Sequence, residues 1–262
     1  MHKIKTIIRK EWADVFQDRS VLFATLLMPL LFGALPLVFL ITMRGVDSSG
    51  IPPELMASLG SGCPKGVSPI ECLQLAVLNQ FTMMFMLTPL IIPVNIAAYS
   101  VIGEKTNRSL EPLLATPITT AQLLIAKNLA AAIPAIVATW ISFLLYTAGA
   151  TLLVGNPRIA ALILQSVAWI AALVLGPLLA LLSVNICLII SSRVNQPHAA
   201  EQLSSMVILP LLLLFVGQMA GIVVLDRRLV FLLAAVLLVV DALLLRLAVG
   251  LFRRETILTR WK

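Results

Sequence analysis

The chain has 262 residues, of which 60% are hydrophobic and only 12% are charged, and its formal net charge is +7. Soluble domains have about 25% charged residues, so this chain has more apolar surface than a water-soluble fold can bury. The same composition excludes intrinsic disorder, which requires low hydrophobicity and high charge. Lipid must therefore be the main solvent of this protein.

The first predicted element is an amphipathic helix within residues 1–20. Its apolar residues recur at helical spacing and share one face. They are Ile4, Ile7, Ile8, Trp12, Val15 and Phe16. Such a helix lies in the headgroup plane, with its basic residues near anionic lipid, or it packs on protein. We favour the interfacial position because the first apolar stretch follows directly.

Six apolar stretches come next, each long enough to cross a bilayer as a helix. They cover residues 21–43, 77–100, 129–154, 160–190, 204–225 and 229–250. The sequence therefore predicts an all-α membrane domain of six transmembrane helices over residues 21–250, followed by a cytoplasmic tail at 251–262. Only a short polar segment separates the last two stretches. They form a tight hairpin, or the fifth stops short and re-enters the membrane.

Positive charge predicts the orientation of the spans. With the N-terminus inside, 13 of the 19 Lys and Arg residues fall in segments that face the cytoplasm, and five fall in outer segments. Cytoplasmic loops of membrane proteins carry an excess of these residues. This distribution predicts a multi-pass protein of the inner membrane with both termini in the cytoplasm.

The predicted outer loop, residues 44–75, contains two of the three cysteines. Cys63 and Cys72 form a disulfide if the loop faces an oxidising compartment, or remain two free thiols if it does not. Ser68 followed by Pro69 is typical of a helix N-cap and first helical position. The third cysteine, Cys187, lies within a span, where we expect a small apolar filler.

Motifs of intrinsic catalysis are absent from the sequence. It contains no Walker A pattern, no HExxH and no GxSxG, and its two histidines lack the neighbours that a metal site needs. The sequence thus predicts no catalytic residue, no metal site, no cofactor of its own and no nucleic-acid partner. A membrane-embedded enzyme is disfavoured for the same reason. Energy for transport would come from a partner protein or an ion gradient.

Ionisable residues are scarce in the spans, and Asp241 lies near the middle of the last one. A carboxylate at that depth is costly when unpaired, so it marks a functional site or a helix-to-helix contact. Asn95 and Asn185 add polar groups in other spans, and we group them with Asp241 as a possible intramembrane polar site. An ion-gradient-driven transporter or a channel that uses Asp241 is the main alternative function.

The predicted cytoplasmic loop, residues 101–128, contains GEKTNRSLEPLLATP followed by ITTAQLLIAK. Its leucines predict an apolar face on a short helix, which Thr116-Pro117 ends. Thr119 or Thr120 then caps the next helix. A short helix that exposes leucines and charges suits the groove of another protein, or it folds against its own bundle.

This loop resembles that of the ABC-2 type transporter permeases, in the pattern E-[KR]-x-x-[GR]-[ST]-L-E-x-L-x-x-[ST]-P-[IV]. IRKEWADVFQDRSVLFATLLMP resembles the N-terminal segment and first span of the same family, although Asp18-Arg19 stand reversed and spread relative to its commonest form. FRRETILTRWK resembles the family's C-terminal ending. The resemblance covers nearly the whole chain.

The resemblance implies that the chain is the permease subunit of an ABC exporter and works with separate cytoplasmic ATPase subunits. Two ATPase copies, which bind ATP and Mg, and a second permease, identical or paralogous, would complete the complex. The short loop helix would be a coupling helix seated in a cleft of the ATPase, and the N-terminal helix would be the elbow helix. The implied partner-contact residues are Glu104, Arg108, Leu110, Glu111, Leu114 and Pro117.

Overall fold

The computed structural model describes residues 2–17, 19–43, 68–106, 119–154, 156–164, 166–194, 196–220, 222–223 and 226–251. All regular structure in these residues is helical, which confirms the predicted all-α class. The α-helices are α1 (His2–Gln17), α2 (Arg19–Met43), α3 (Pro69–Phe85), α4 (Thr88–Thr106), α5 (Thr120–Val154), α6 (Pro157–Leu164), α7 (Val167–Ile170), α8 (Gly176–Ser191), α9 (Pro197–Ser204), α10 (Ile208–Met219) and α11 (Arg227–Leu251). A π-helical turn joins α7 to α8, and a 3₁₀ turn joins α9 to α10.

Within the described ranges, five helical stretches are long and apolar enough to cross a membrane. They are Thr25–Met43, Thr120–Val154, Pro157–Ser191, His198–Met219 and Arg227–Leu251. These stretches overlap five of the six predicted spans. Their outer faces are apolar and uncovered: Leu213 and Leu247, for example, are 73% and 60% exposed. The chain is therefore a multi-pass membrane protein.

The second predicted span, residues 77–100, is not one continuous helix. α3 ends at Phe85, and α4 begins at Thr88 after a turn at residues 86–87. Pro89 explains the break, because its ring has no N–H to donate and clashes with the carbonyl four residues earlier, that of Phe85. Leu87 restores pairing by accepting hydrogen bonds from the amides of Leu90 and Ile91 at 3.1 and 3.0 Å. The apolar part of α4 is a short helix, Thr88–Ser100.

The longest helix, α5, runs beside both halves of this broken helix. Its 35 residues extend about 52 Å at 1.5 Å per residue, well beyond a hydrocarbon core of about 30 Å. The Tyr146 hydroxyl donates to the Leu78 carbonyl at 3.1 Å, and the Lys127 ammonium donates to the Ser100 hydroxyl at 2.8 Å. α3 and α4 together therefore run antiparallel to α5 over most of its length.

α2 packs closely on α5 through small residues. A Cβ atom at Gly33 would lie 2.9 Å from the Ser142 hydroxyl, and one at Gly149 would lie 2.7 Å from Leu37. The Ser142 hydroxyl donates to the carbonyl of Pro29. Small residues of this kind allow helices to approach closely in a membrane.

Two predicted helix starts are confirmed. The Ser68 amide donates to the Glu71 carboxylate at 2.8 Å, and the Glu71 amide donates back to the Ser68 hydroxyl at 3.4 Å, just before α3. Thr119 and Gln122 exchange the equivalent pair of bonds at the start of α5, both at 3.3 Å. These reciprocal capping boxes satisfy amides that have no partner within the helix.

The connection between the last two spans is short. α10 ends at Met219, and the amides of Ile222 and Val223 then donate to the Gly217 carbonyl. The Asp226 carboxylate caps α11 by accepting from the Leu229 amide at 2.8 Å. The residues described between Met219 and Arg227 are not helical.

Candidate functional site

The predicted partner-contact residues lie at the end of α4 and just beyond it. Glu104 belongs to the last turn of α4, which ends at Thr106. The other five lie outside the described residues, so their arrangement stays a prediction: Arg108, Leu110, Glu111, Leu114 and Pro117. The predicted loop 101–128 is helical at both ends, because α4 continues to Thr106 and α5 begins at Thr120.

A buried ion pair lies close to this loop and joins α1 to α5. The Lys127 ammonium is 2.9 Å from one oxygen of the Glu11 carboxylate and 2.8 Å from the Ser100 hydroxyl on α4. The Ser100 hydroxyl donates in turn to the other Glu11 oxygen. Glu11 and Lys127 are only 4% and 5% exposed. We call these three residues the latch cluster.

The electrostatics of the latch cluster favour an ionised Glu11. Burial alone would raise the pKa of the Glu11 carboxyl, because a charged group loses hydration there. The ammonium of Lys127 and the hydrogen bond from Ser100 outweigh this effect and hold the pKa below its ordinary value of 4.5. Lys10, at 3.9 Å, acts in the same direction.

Apolar contacts and one further hydrogen bond shield the latch cluster. Ile7 packs with Leu123 and Ala126 of α5, and the Trp12 indole donates to the Ala130 carbonyl at 2.9 Å. Part of the apolar face of α1 is thus covered by protein, whereas Phe16 remains 46% exposed. Placement of α1 in the headgroup plane stays a prediction.

Sequence reasoning did not identify the latch cluster. In the sequence, Lys127 is one of the cations of the predicted cytoplasmic loop 101–128, and no motif pairs it with Glu11. The available signal was the position of Glu11 four residues after Ile7, because residues at that spacing share a helix face. An acid on the apolar face of an amphipathic helix requires a partner when that face is buried.

The predicted intramembrane polar site is divided between two places. The Asn185 side chain of α8 donates to one Asp241 oxygen at 3.2 Å, and the Asn128 side chain of α5 donates to the side-chain oxygen Oδ1 of Asn185. Asp241 is 8% exposed, and its second oxygen is buried without a hydrogen-bond partner among the residues described. Asn128, which was not predicted, follows Lys127 directly. Asn95 is not part of this chain of polar groups.

Asn95 instead lines a cleft of about 200 Å³ between α4 and the α9–α10 segment. Leu90, Ile91 and Val94 supply its apolar wall on α4. Glu201 faces it from α9 and also interacts with the His198 ring at 3.3 Å. The cleft thus combines apolar walls with a few polar groups, as small-molecule sites do.

Two of the remaining predicted residues, Cys72 and Cys187, lie in α3 and α8. Cys72 is buried in α3 and disulfide-bonded. Its predicted partner, Cys63, lies outside the described residues, so the pairing stays a prediction. The Asn156 amide binds the Glu71 carboxylate, whose pKa is lowered mainly by the Ser68 backbone amide and then by Asn156. Cys187 is fully buried and free, as expected of an apolar filler.

Comparison with known proteins agrees with this architecture. A family profile described as ABC-2 family transporter protein matches residues 5–252, nearly the whole chain. No curated protein matches the chain. The profile covers every helix that contributes to the latch cluster, the buried polar chain and the cleft. The chain belongs to the ABC-2 transporter family and is a membrane permease of an ABC transporter, whose partner is an ABC ATPase subunit.

Proposed function

We propose that this chain is the permease subunit of an ATP-driven exporter, coupled to its ATPase through residues 104–117. The observation that carries the proposal is the sequence GEKTNRSLEPLLATP, which connects α4 to α5. α5 is one of the five candidate spans, α4 packs beside it, and the latch cluster joins the two helices near the loop. A displacement of the loop would therefore move α4 and α5 together.

The proposal includes an ATPase that binds on the cytoplasmic side. The excess of Lys and Arg in the segments assigned to the inside supports this orientation. The sequence has no Walker A motif, so ATP and Mg would be bound by the partner. Two ATPase copies and a second permease, identical or paralogous, complete the proposed complex.

The broken helix α3–α4 is the sixth crossing in this proposal. Its two halves lie alongside α5 from Glu71 near one end to Ser100 near the other. Broken helices are tolerated in membranes where protein or a cavity satisfies the freed backbone groups. The cleft beside α4 then lies next to the break, and we assign its wall to the substrate path.

The cleft favours an amphipathic cargo. Its lining is mostly apolar, with Asn95, Glu201 and Gln202 as polar groups. The carboxylate of Glu201 would attract a positive group on such a molecule, while Leu90 and Ile91 would contact its apolar part. A cargo of this kind would reach the cleft from the cytoplasm or the inner leaflet.

Gradient-driven transport through Asp241 is the alternative. The observed hydrogen bond from Asn185 supports a helix-to-helix role for Asp241, because interhelical amide contacts stabilise membrane bundles. Neither Asp241 nor Asn185 lines the cleft.

Co-purification and ATP hydrolysis test the proposal. The tagged chain is co-expressed with a candidate ABC ATPase subunit, sought first in the neighbouring reading frames, and the complex is placed in liposomes. We expect a stable complex whose ATP hydrolysis depends on the permease. A control replaces residues 107–118 with a Gly-Ser segment of equal length and should lose the ATPase while retaining its helical content. If the control captures the ATPase as well as the natural chain does, coupling through this loop is wrong.

A further inference from the structure

The latch cluster joins α1 to α4 and α5, the two helices that flank the proposed coupling loop in the chain. Ser100 lies six residues before α4 ends at Thr106, and Lys127 lies seven residues after α5 begins at Thr120. At 1.5 Å per residue, each is about 10 Å along its helix from the loop. Glu11 contributes the third helix, α1, from a distant part of the sequence.

The geometry of the cluster closes a ring of polar contacts. Lys127 contacts Glu11 and Ser100, and Ser100 contacts the second oxygen of Glu11. Each carboxylate oxygen of Glu11 thus has a partner on a different helix. Because the cluster is buried, water replaces these contacts poorly if the helices separate.

α1 is also positioned to pass a displacement on to the first span. Only one residue separates the end of α1 at Gln17 from the start of α2 at Arg19. Further along, Ser142 of α5 binds the Pro29 carbonyl of α2. The α1–α2 segment is therefore hydrogen-bonded to α5 at Lys127, Ala130 and Ser142, and the bond at Lys127 is the one nearest the loop.

Asn128 extends the connection to the other side of α5. It follows Lys127 in sequence and begins the polar chain that reaches Asn185 and Asp241. Two consecutive residues of α5 thus contact α1 and α4 on one side and α8 on the other. A rotation of the first turns of α5 would affect both sets of contacts.

We propose that Glu11, Lys127 and Ser100 are positioning residues that transmit movement of the coupling loop to α1 and α2. This inference rests on the proposed function, because it requires an ATPase at residues 104–117. It goes beyond that function by naming the residues that connect the loop to the first span. The cluster moves as one unit, so the first span follows the loop during the ATP cycle.

Hydrogen–deuterium exchange in the ATPase complex tests this inference. Exchange of residues 2–43 and 120–154 is compared without nucleotide and with ATP plus vanadate. The variants are Glu11→Gln, Ser100→Ala and the charge swap Glu11→Lys with Lys127→Glu. Lys5→Gln is the matched control, because Lys5 lies on the same helix with an exposed side chain. The amount of bound ATPase is measured for every variant.

The natural chain and Lys5→Gln should show a nucleotide-dependent change in both segments. Glu11→Gln should keep the change in residues 120–154 and lose most of the change in residues 2–43, because the neutral amide no longer pairs with the Lys127 ammonium. The charge swap should restore the nucleotide-dependent change in residues 2–43. Ser100→Ala, which removes only a hydroxyl, should reduce the change even if Glu11→Gln does not fold.

Two results would overturn the inference while leaving the proposed function intact. In one, Glu11→Gln and Ser100→Ala keep the full change in residues 2–43. In the other, the variants lose stability or bound ATPase, but each complex that forms responds like the natural one, so the cluster is only structural. If the natural chain binds no ATPase, the proposed function fails, and this inference fails with it.

Discussion

At the scale of single residues, the clearest feature is a buried charge pair that joins distant segments. Glu11 and Lys127 are 116 positions apart, and both are almost completely buried. Removing one member of such a pair leaves the other charge without compensation. Buried pairs therefore affect stability most when only one partner is lost.

Glu11→Gln should destabilise the protein and change its pH dependence. We expect a loss of about 3–5 kcal/mol near neutral pH, because Lys127 would stay buried without its counter-charge. The lowered pKa of Glu11 means that its contribution is present above the ordinary value of 4.5 and is lost as the pH falls through the lower folded value. Thermal unfolding in detergent from pH 7 to pH 3 measures both effects.

Lys5→Gln is the control for this comparison, because the Lys5 side chain is exposed, and the substitution should change stability by less than about 1 kcal/mol. Equal unfolding temperatures for Glu11→Gln and the natural chain at neutral pH would contradict the structure of the cluster. A steeper acid loss in Glu11→Gln than in the natural chain would contradict the sign of the pKa shift.

Asp241→Asn should fold and remain active. An Asn side chain still offers an oxygen to the Asn185 amide, so the interhelical hydrogen bond survives. Asp241→Leu removes that acceptor and should cost about 1–2 kcal/mol. Thermal unfolding of both variants measures this difference. Loss of transport in a well-folded Asp241→Asn protein that still binds the ATPase and hydrolyses ATP would instead favour the gradient-driven alternative.

At the scale of helices, Pro89 divides the second predicted span. Pro134 is a useful contrast, because it lies inside α5 without ending that helix. The surroundings of a proline decide whether it ends a helix, since a proline is tolerated where neighbouring groups satisfy the freed carbonyl.

Pro89→Ala should lengthen the helix across the break. The new amide at position 89 can donate to the Phe85 carbonyl, which proline prevents. Hydrogen exchange at residues 86–91 should therefore slow in Pro89→Ala, whereas Pro134→Ala should leave this segment unchanged. Unchanged exchange at residues 86–91 would show that tertiary contacts, rather than Pro89, impose the turn.

Local features of these elements were predictable from sequence, and distant pairings were not. Ser68, and Thr119 or Thr120, were predicted as caps from neighbouring residues alone, and the caps at Ser68 and Thr119 are made by side chains only three residues away. Asp241 and Asn185 were both predicted as polar sites, but their contact and the role of Asn128 depend on how α5, α8 and α11 pack. The position of Asn95, which lines the cleft instead, also depends on how the helices pack.

At the scale of the whole molecule, the account depends on its orientation in the membrane. A cysteine at Ser109 should react with an impermeant reagent only from the cytoplasmic side, and a cysteine at Ser58 only from the outside. This result is expected from the distribution of Lys and Arg. Labelling of right-side-out and inverted vesicles, in a background without the native cysteines, measures it. The reverse pattern would contradict the assignment of residues 104–117 to the side of the ATPase.

The central claim is that residues 104–117 couple a separate ATPase to this bundle, and Glu111→Lys tests it most directly. The change places a positive charge where an acid is expected to meet the partner, and losing a desolvated charge pair costs about 2–5 kcal/mol. The measurement is permease-dependent ATP hydrolysis by the reconstituted complex, with Glu111→Gln as the milder variant and Asp241→Asn as the contrast. We predict that hydrolysis and assembly fall steeply in Glu111→Lys and persist in Asp241→Asn. If Glu111→Lys assembles and hydrolyses ATP like the natural chain, while Asp241→Asn abolishes transport, the coupling claim is contradicted.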